Sequence, residues 1–269
     1  MRSIFLISAF AASLLSVPSV RALETFKVYD LFSTFPLDPE RWADTERVRL
    51  ITGDGSVRLM QRTWGTRSSD AGVTAQSWST NFSNPATINE MKARITVNAI
   101  DVKTCASNPA VTESRARIIG GFFNVGTPTP GSQANDVIAQ VRLSRASNSS
   151  DPAGLLHVQG ILSLCVSADC NSASTIGNIV DLGTVKVGAP ATVQIQWDQP
   201  GKTFHFARSG STTAAGTVAY AQSDASPPSV LFRQLSTRVT LANCQSAPRV
   251  KGMVDAVFDN VYVNQSALP

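Results

Sequence analysis

The chain is short of the residues that most often carry enzyme chemistry. Glu24, Glu40, Glu46, Glu90 and Glu113 are its five glutamates, and no two stand at the close spacing by which one strand supplies both carboxyls of a retaining glycosidase. His157 and His205 are its two histidines. Each sits in an alternating, strand-like segment, where a solvent-facing histidine is the plain reading and a base or sugar contact the sharper one. No Gly-x-Ser-x-Gly elbow exists to start a serine-hydrolase arrangement. Asp255 and Asp259 lie four apart, a helical spacing on a segment that reads as strand. Charged residues make up 16% of the chain and are interspersed. Without a basic run to neutralise a phosphate backbone, nucleic acid is not an expected partner. Beyond the first residues no apolar run approaches the roughly 18 needed for a membrane span, and no stretch of a dozen residues keeps a helical period.

What is present begins with "MRSIFLISAFAASLLSVPSVRA". Arg2 supplies a positive start, Ile4 to Val17 an apolar run and Val20-Arg21-Ala22 a small-residue cleavage site, so residues 1–22 read as a secretory signal peptide. Residues 23–269 then form the mature chain, and loss of Arg2 and Arg21 lowers its formal charge from +4 to +2. A mature chain of this length can bury one sizeable core, and β-sandwiches of this size are commonly one domain. Export permits disulfides, and the four cysteines, Cys105, Cys165, Cys170 and Cys244, are an even number without the spacing of a zinc site or a Cys-x-x-Cys redox pair. Three pairings are open. The look of "CVSADC" as a hairpin tip favours Cys165 with Cys170 and Cys105 with Cys244.

Apolar residues recur with period two in segment after segment, the mark of half-buried strands. In "KARITVNA" the set Ala93, Ile95, Val97 and Ala99 alternates with Lys92, Arg94, Thr96 and Asn98. "VIAQVRLSR" puts Val137, Ala139, Val141 and Leu143 on one face. "TVQIQW", the turn "DQPGK" and "TFHFAR" predict a hairpin over residues 191–208. "LLHVQGILSLCV", "RVTLANC" and "VDAVFDNVYV" extend the series, and Gly, Pro, Ser and Asn clusters separate its members. About a dozen short strands point to an all-β fold, a two-sheet antiparallel β-sandwich in a single domain.

Three segments carry a family resemblance. "YDLFSTFPLDPERW", residues 29–42, resembles the opening of concanavalin A-like jelly-roll domains, the fold of legume lectins, laminin-G modules and family 16 glucanases. "TVQIQWDQPGKTFHFARSG" is similar to their central hairpin, and "AVFDNVYVN" to their last strand, which pairs near the first. The resemblance implies the jelly-roll fold, which hosts lectins, hydrolases, lyases and adhesive modules alike. The Glu-x-Asp-x-(x)-Glu motif of family 16 glucanases is absent. Alginate-lyase-type jelly rolls use an Arg-rich strand, a Gln-x-His strand and a Tyr-containing strand. "RARIIGGFFN" and "LLHVQG" echo the first two, but Phe122 and Phe123 stand where the tyrosine is sought. Several of these families bind calcium near the first and last strands, so calcium is the one cofactor the resemblance leaves open, with Asp30 and Asp259 at the corresponding positions.

A glycan site needs an aromatic platform for a sugar face and convergent polar groups for its hydroxyls. Trp64 in "QRTWGTR" and Trp78 in "QSWST" stand in polar, loop-like surroundings as candidate platforms. Gln140, Arg142, Gln194 and Gln196 fall on the outward phase of their strands. Core or rim packing is the competing reading for the two tryptophans; Trp42 and Trp197 read as core. The sequence therefore points to a secreted, extracellular or periplasmic, non-catalytic module that binds a glycan or polysaccharide. A polysaccharide-degrading enzyme with its acid and base on unaligned loops, and a purely structural surface domain, are the alternatives. In the closing strand Val254, Ala256 and Phe258 share one parity and Val261 and Val263 the other, which predicts a β-bulge at Asp259-Asn260 that keeps both sets on the core.

Overall fold

The computed structural model describes residues 46–245 and 249–268, together with Val28. The proposed signal peptide and the whole of the 29–42 segment, with Asp30 and Trp42, lie outside the described residues.

Among the described residues, fourteen strands form two antiparallel seven-stranded sheets. In chain order they are β1 (Glu46–Ile51), β2 (Val57–Trp64), β3 (Val73–Asn81), β4 (Glu90–Val102), β5 (Glu113–Asn124), β6 (Asp136–Ala146) and β7 (Leu155–Cys165). Then come β8 (Ala173–Thr175), β9 (Val180–Lys186), β10 (Pro190–Asp198), β11 (Thr203–Ser209), β12 (Ala214–Ala219), β13 (Arg233–Ala242) and β14 (Lys251–Val263). The first sheet runs β1-β2-β14-β4-β10-β11-β12, and the second β3-β13-β5-β6-β7-β8 with β9 also paired to β7. The all-β, two-sheet antiparallel sandwich expected from the period-two pattern is the architecture observed. The predicted hairpin is β10 and β11, in register from Thr192 opposite Ser209 to Asp198 opposite Thr203.

The alternating apolar residues meet between the sheets. Ala93, Ile95, Val97, Val193, Ile195, Phe204 and Phe206 from the first sheet face Ala116, Ile118, Ala139, Val141, Leu143, Leu156, Val158 and Leu162 from the second, all fully buried. At one end the core is aromatic. A bulge at Gly121/Phe123 in the β5–β6 pairing turns the adjacent Phe122 and Phe123 both inward, where they meet Trp197 at ring-centroid distances of 5.6 and 5.8 Å. The two phenylalanines sought as a tyrosine substitute are therefore core residues. Arg233 is buried in the same region, with Phe122 beneath its guanidinium and the carbonyls of Ile88, Gly121 and Phe232 accepting its hydrogen bonds.

The closing strand bends where its parity changes. Asp259 faces Arg94 and Tyr262 faces Lys92, so Asn260 and Val261 together oppose one residue of β4. Asn260 takes φ of 48°, and its backbone N–H donates to the Asp259 carboxylate at 2.6 Å. The predicted bulge is present, with one correction. Val263 packs against the core, but Val261 is 38% exposed, because the extra residue rotates Asn260 and Val261 outward and restores the inward phase only afterwards.

Disulfides join Cys105 to Cys244 and Cys165 to Cys170. The first ties the turn after β4 to the end of β13. The second closes the β7–β8 turn, whose Ala168 carbonyl accepts the backbone N–H of Gln133 at 2.7 Å.

Candidate functional site: an arginine-lined groove on the second sheet

The outward positions of the second sheet line a groove of about 510 Å³. Its walls come from the period-two phase opposite to the core. β5 offers Arg115, Arg117 and Ile119, β6 Ile138, Gln140 and Arg142, β7 Ile161 and Ser163, and β13 Gln234 and Arg238. Strand register sets these in rows together with Ser144, His157, Ser236 and Gln159, which share the outward phase but do not line the groove. Arg238, Arg115, Ser144 and His157 follow one another across β13, β5, β6 and β7; Ser236, Arg117, Arg142 and Gln159 form the next row, and Gln234, Ile119, Gln140 and Ile161 the third. Neighbouring side chains in a row are about 5 Å apart, as the inter-strand spacing requires. Two of these neighbour pairs are arginine against arginine.

Glu113 is the carboxylate at the base of this cluster. It accepts from Arg115 Nη1 at 2.6 Å and lies 3.0 Å from Arg142 Nη1. Arg142 also donates to Gln159 Oε1 at 3.0 Å, and Arg117 to Gln140 Oε1 at 3.0 Å. Burial opposes the charge on Glu113, but Arg115 and Arg142, helped by a hydrogen bond from Ser144, outweigh it and hold the carboxyl below the usual range. Burial, reinforced by Arg115 and Arg238, pushes the Arg117 guanidinium well below its ordinary value, and burial pulls Arg238 down to about 10. Because the folded pKa of Glu113 is depressed, its stabilising contribution is present above the unfolded carboxyl pKa of about 4.3 and is lost as pH falls through the folded value. Glu113→Gln is expected to flatten the decline of melting temperature between about pH 5 and 3; an unchanged acid profile would contradict the pairing.

At its other end the groove is apolar. Ile119, Ile138 and Cys165 form a buried cluster outside the main core, with the half-buried Phe232 and Cys170 packed against it. The disulfide-closed turn overhangs this region. Asp169, Cys170 and Asn171 line the groove, and Arg238 Nη2 reaches Asn171 Oδ1 at 2.8 Å.

The residues singled out in the sequence are dispersed. Gln140 and Arg142 lie in the groove. Gln196 lies on the outward face of the first sheet, in a separate hollow with His205 and Thr217; Gln194 on that face donates to Glu90 Oε1 at 2.6 Å. The two tryptophans require correction, since neither stands in a loop. Trp64 ends β2 and is 6% exposed. Trp78 lies within β3, its indole N–H donating to the Val48 carbonyl at 3.0 Å and its ring carrying the Arg47 and Arg49 guanidinium groups at 5.8 and 5.5 Å. The polar neighbours that suggested loops are the outward halves of strands. His157 pairs with Asp151 at 2.6 Å.

Asp259 lies at the exposed bulge, 3.8 Å from Arg94. Among the described residues the one cluster of three potential metal ligands is Asp70, Cys105 and Cys244, whose sulfurs form the disulfide. Asp259→Asn is expected to change stability by less than about 0.5 kcal/mol, measured by urea unfolding with and without calcium. A calcium-dependent rise in melting temperature that this variant abolishes would instead make Asp259 a ligand.

Arg115, Arg117, Arg238 and Phe232 were missed from the sequence. The signal for the first two was present, since "ESRARI" alternates Glu113, Arg115 and Arg117 against Ser114, Ala116 and Ile118.

No protein-family model matches the chain, and no curated protein matches it. Among solved structures it is similar to a variant of the family 7 alginate lyase A1-II′ in complex with substrate (GGMG), at 14% identity over 82% of each chain with a TM-score of 0.39. It is also similar to lectin II from Ulex europaeus, at 13% identity over 80% of this chain and 91% of that one with a TM-score of 0.36. A Lotus tetragonolobus seed lectin matches at 12% identity over 82% of this chain and 94% of that one, also with a TM-score of 0.36. These legume lectins and the lyase are concanavalin A-like jelly rolls, and the likeness is one of fold alone.

Proposed function

We propose that residues 23–269 form an exported, disulfide-stapled, non-catalytic glycan-binding module whose ligand lies in the groove of the second sheet. The observation that carries this reading is the groove's division into a guanidinium-and-amide part and an apolar part. A sugar ring has apolar faces and a polar rim, so Phe232 with Ile119 and Ile161 suits a face while Gln140, Gln234 and the arginines suit hydroxyls. Among the described lining residues there is no histidine, tyrosine or lysine to act as a base, and Asp169 is the lone carboxylate, where glycoside hydrolysis uses a pair. The two disulfides suit an oxidising compartment.

The test is affinity electrophoresis against a panel of polysaccharides, with product release followed in parallel. Retention by at least one polysaccharide without chain cleavage is expected. Phe232→Ala should weaken it about tenfold, the effect of losing one aromatic contact of about 1.4 kcal/mol. Depolymerisation of any polysaccharide, or retention indifferent to Phe232→Ala, would overturn the assignment.

A further inference from the structure

We infer that the groove takes an acidic polysaccharide, whose carboxylate or sulfate groups are held among Arg115, Arg117, Arg142 and Arg238. This rests on the groove being the glycan site and names the ligand class.

The first ground is an imbalance of charge inside the sheet. Arg117 stands directly opposite Arg142, and Arg115 directly opposite Arg238. Like charges at directly paired positions destabilise a sheet. Four guanidinium groups share the single carboxylate of Glu113 at the base of the cluster and that of Asp169 at the rim. On the first sheet the fold gives an arginine its own acceptor: Arg58 has Asp255 at 2.6 Å, and Arg62 has Glu46 at 2.7 Å. The buried Arg208 has the carbonyls of Leu182 and Thr184 at 3.0 and 2.9 Å for its Nη1, although its Nε has no partner among the described residues.

The second ground is unmet hydrogen bonding. The Nε atoms of Arg115, Arg117 and Arg238 are buried and have no partner among the described residues. Arg117 is 4% exposed, and its Nη1 bond to Gln140 leaves most of its five donors to be satisfied. A buried guanidinium without acceptors is costly, and an anion entering the groove removes that cost. The sheet already shows the arrangement such an anion would adopt, because the Glu113 carboxylate lies between the guanidinium groups of Arg115 and Arg142. Lowered arginine pKa values in the groove have the same origin, as guanidinium groups are held beside one another away from water. The apolar floor beside them suits a sugar ring rather than a bare ion.

Four polymers decide the matter in one retention assay: polygalacturonate for carboxylates, dextran sulfate for sulfate esters, dextran as the neutral glycan and single-stranded DNA as the non-glycan polyanion. The expected result is retention by polygalacturonate or dextran sulfate, with the stronger of the two naming the anion. Retention should fall as sodium chloride rises from about 50 to about 500 mM. Arg142→Gln and Arg238→Gln should each weaken it about tenfold or more, the effect of losing a charge-assisted hydrogen bond. Glu113→Gln should strengthen it by removing the competing carboxylate, a gain that a purely structural role would not produce. Melting temperatures confirm that each variant is folded. Dextran binding that Phe232→Ala weakens would overturn the acidic ligand and keep the groove. Retention by none of the glycans would overturn both readings. DNA retained as strongly as the acidic glycans, or acidic binding unchanged in all three charge variants, would overturn the inference.

Discussion

Replacing Cys105 and Cys244 by serine is expected to lower the unfolding free energy by about 5 kcal/mol, whereas the same change at Cys165 and Cys170 costs about 2 kcal/mol. The difference follows from the chain each bridge closes. Their sequence separations are 139 and 5 residues, and the entropy taken from the unfolded chain grows with the logarithm of that length. The long bridge also holds a shared network in place. Asn108 Nδ2 donates to the carbonyls of Gly72 and Asn243 at 2.9 and 2.8 Å, and the backbone N–H of Cys244 to the Thr66 carbonyl at 2.9 Å. A domain's whole stability is about 5 to 15 kcal/mol, so the Cys105/Cys244 variant should lose about a third of it or more. Urea unfolding of both double-serine variants makes the comparison. Equal losses would mean that native-state strain or residual unfolded structure, and not loop closure, sets the effect.

Phe206→Ala carries the second large effect, about 3 to 5 kcal/mol, the range for emptying a buried phenylalanine site. Phe206 is fully buried on β11 and stacks with Phe204 at 6.4 Å. Across the sandwich its partner is a missing side chain. Gly160 lies on the inward phase of β7, and a Cβ built there would overlap the Cβ and Cγ of Phe206. Those atoms are at the base of the ring, so the side chain cannot swing clear. Gly160→Ala alone should therefore cost about 1 to 3 kcal/mol by overpacking. The double variant should lose less than the sum, because the new methyl enters space the ring has vacated. Coupling between directly packed residues runs about 0.5 to 3 kcal/mol. Additive losses in a double-mutant cycle would show that the two positions do not share one contact.

Gly160 also shows where reading the sequence stops. Within "LLHVQGILSLCV" the alternation of Leu156, Val158 and Leu162 places residue 160 on the core face. Nothing local says that this position must be empty, since Phe206 comes from another sheet and from 46 residues further along. The bulge at Asp259-Asn260 was legible because a bulge changes parity within one strand. The bulge that turns Phe122 and Phe123 inward was not, since two adjacent aromatics break the alternation without indicating which of them is displaced. Trp64 and Trp78 were misplaced for a related reason. Polar flanks look the same in a loop and on the outward half of a strand, and only pairing with β14, β1 and β13 identifies them as strand.

The sequence by itself determined the two-sheet class, the face on which the alternating residues of most strands lie, the Asp259 bend and a favoured pairing for its four cysteines, because each depends on period, parity or count along a short stretch of chain. It placed Gln140, Arg142, Gln194 and Gln196 outward on their strands, but only the structure shows that the last two lie on the opposite sheet. Tertiary structure alone decided that β13 lies against β5 and β5 against β6, which gathers Arg238, Arg115, Arg117 and Arg142 into one groove. Strand order is chosen by the closure of the whole core between residues far apart along the chain, and period-two alternation carries no record of which strand will be its neighbour.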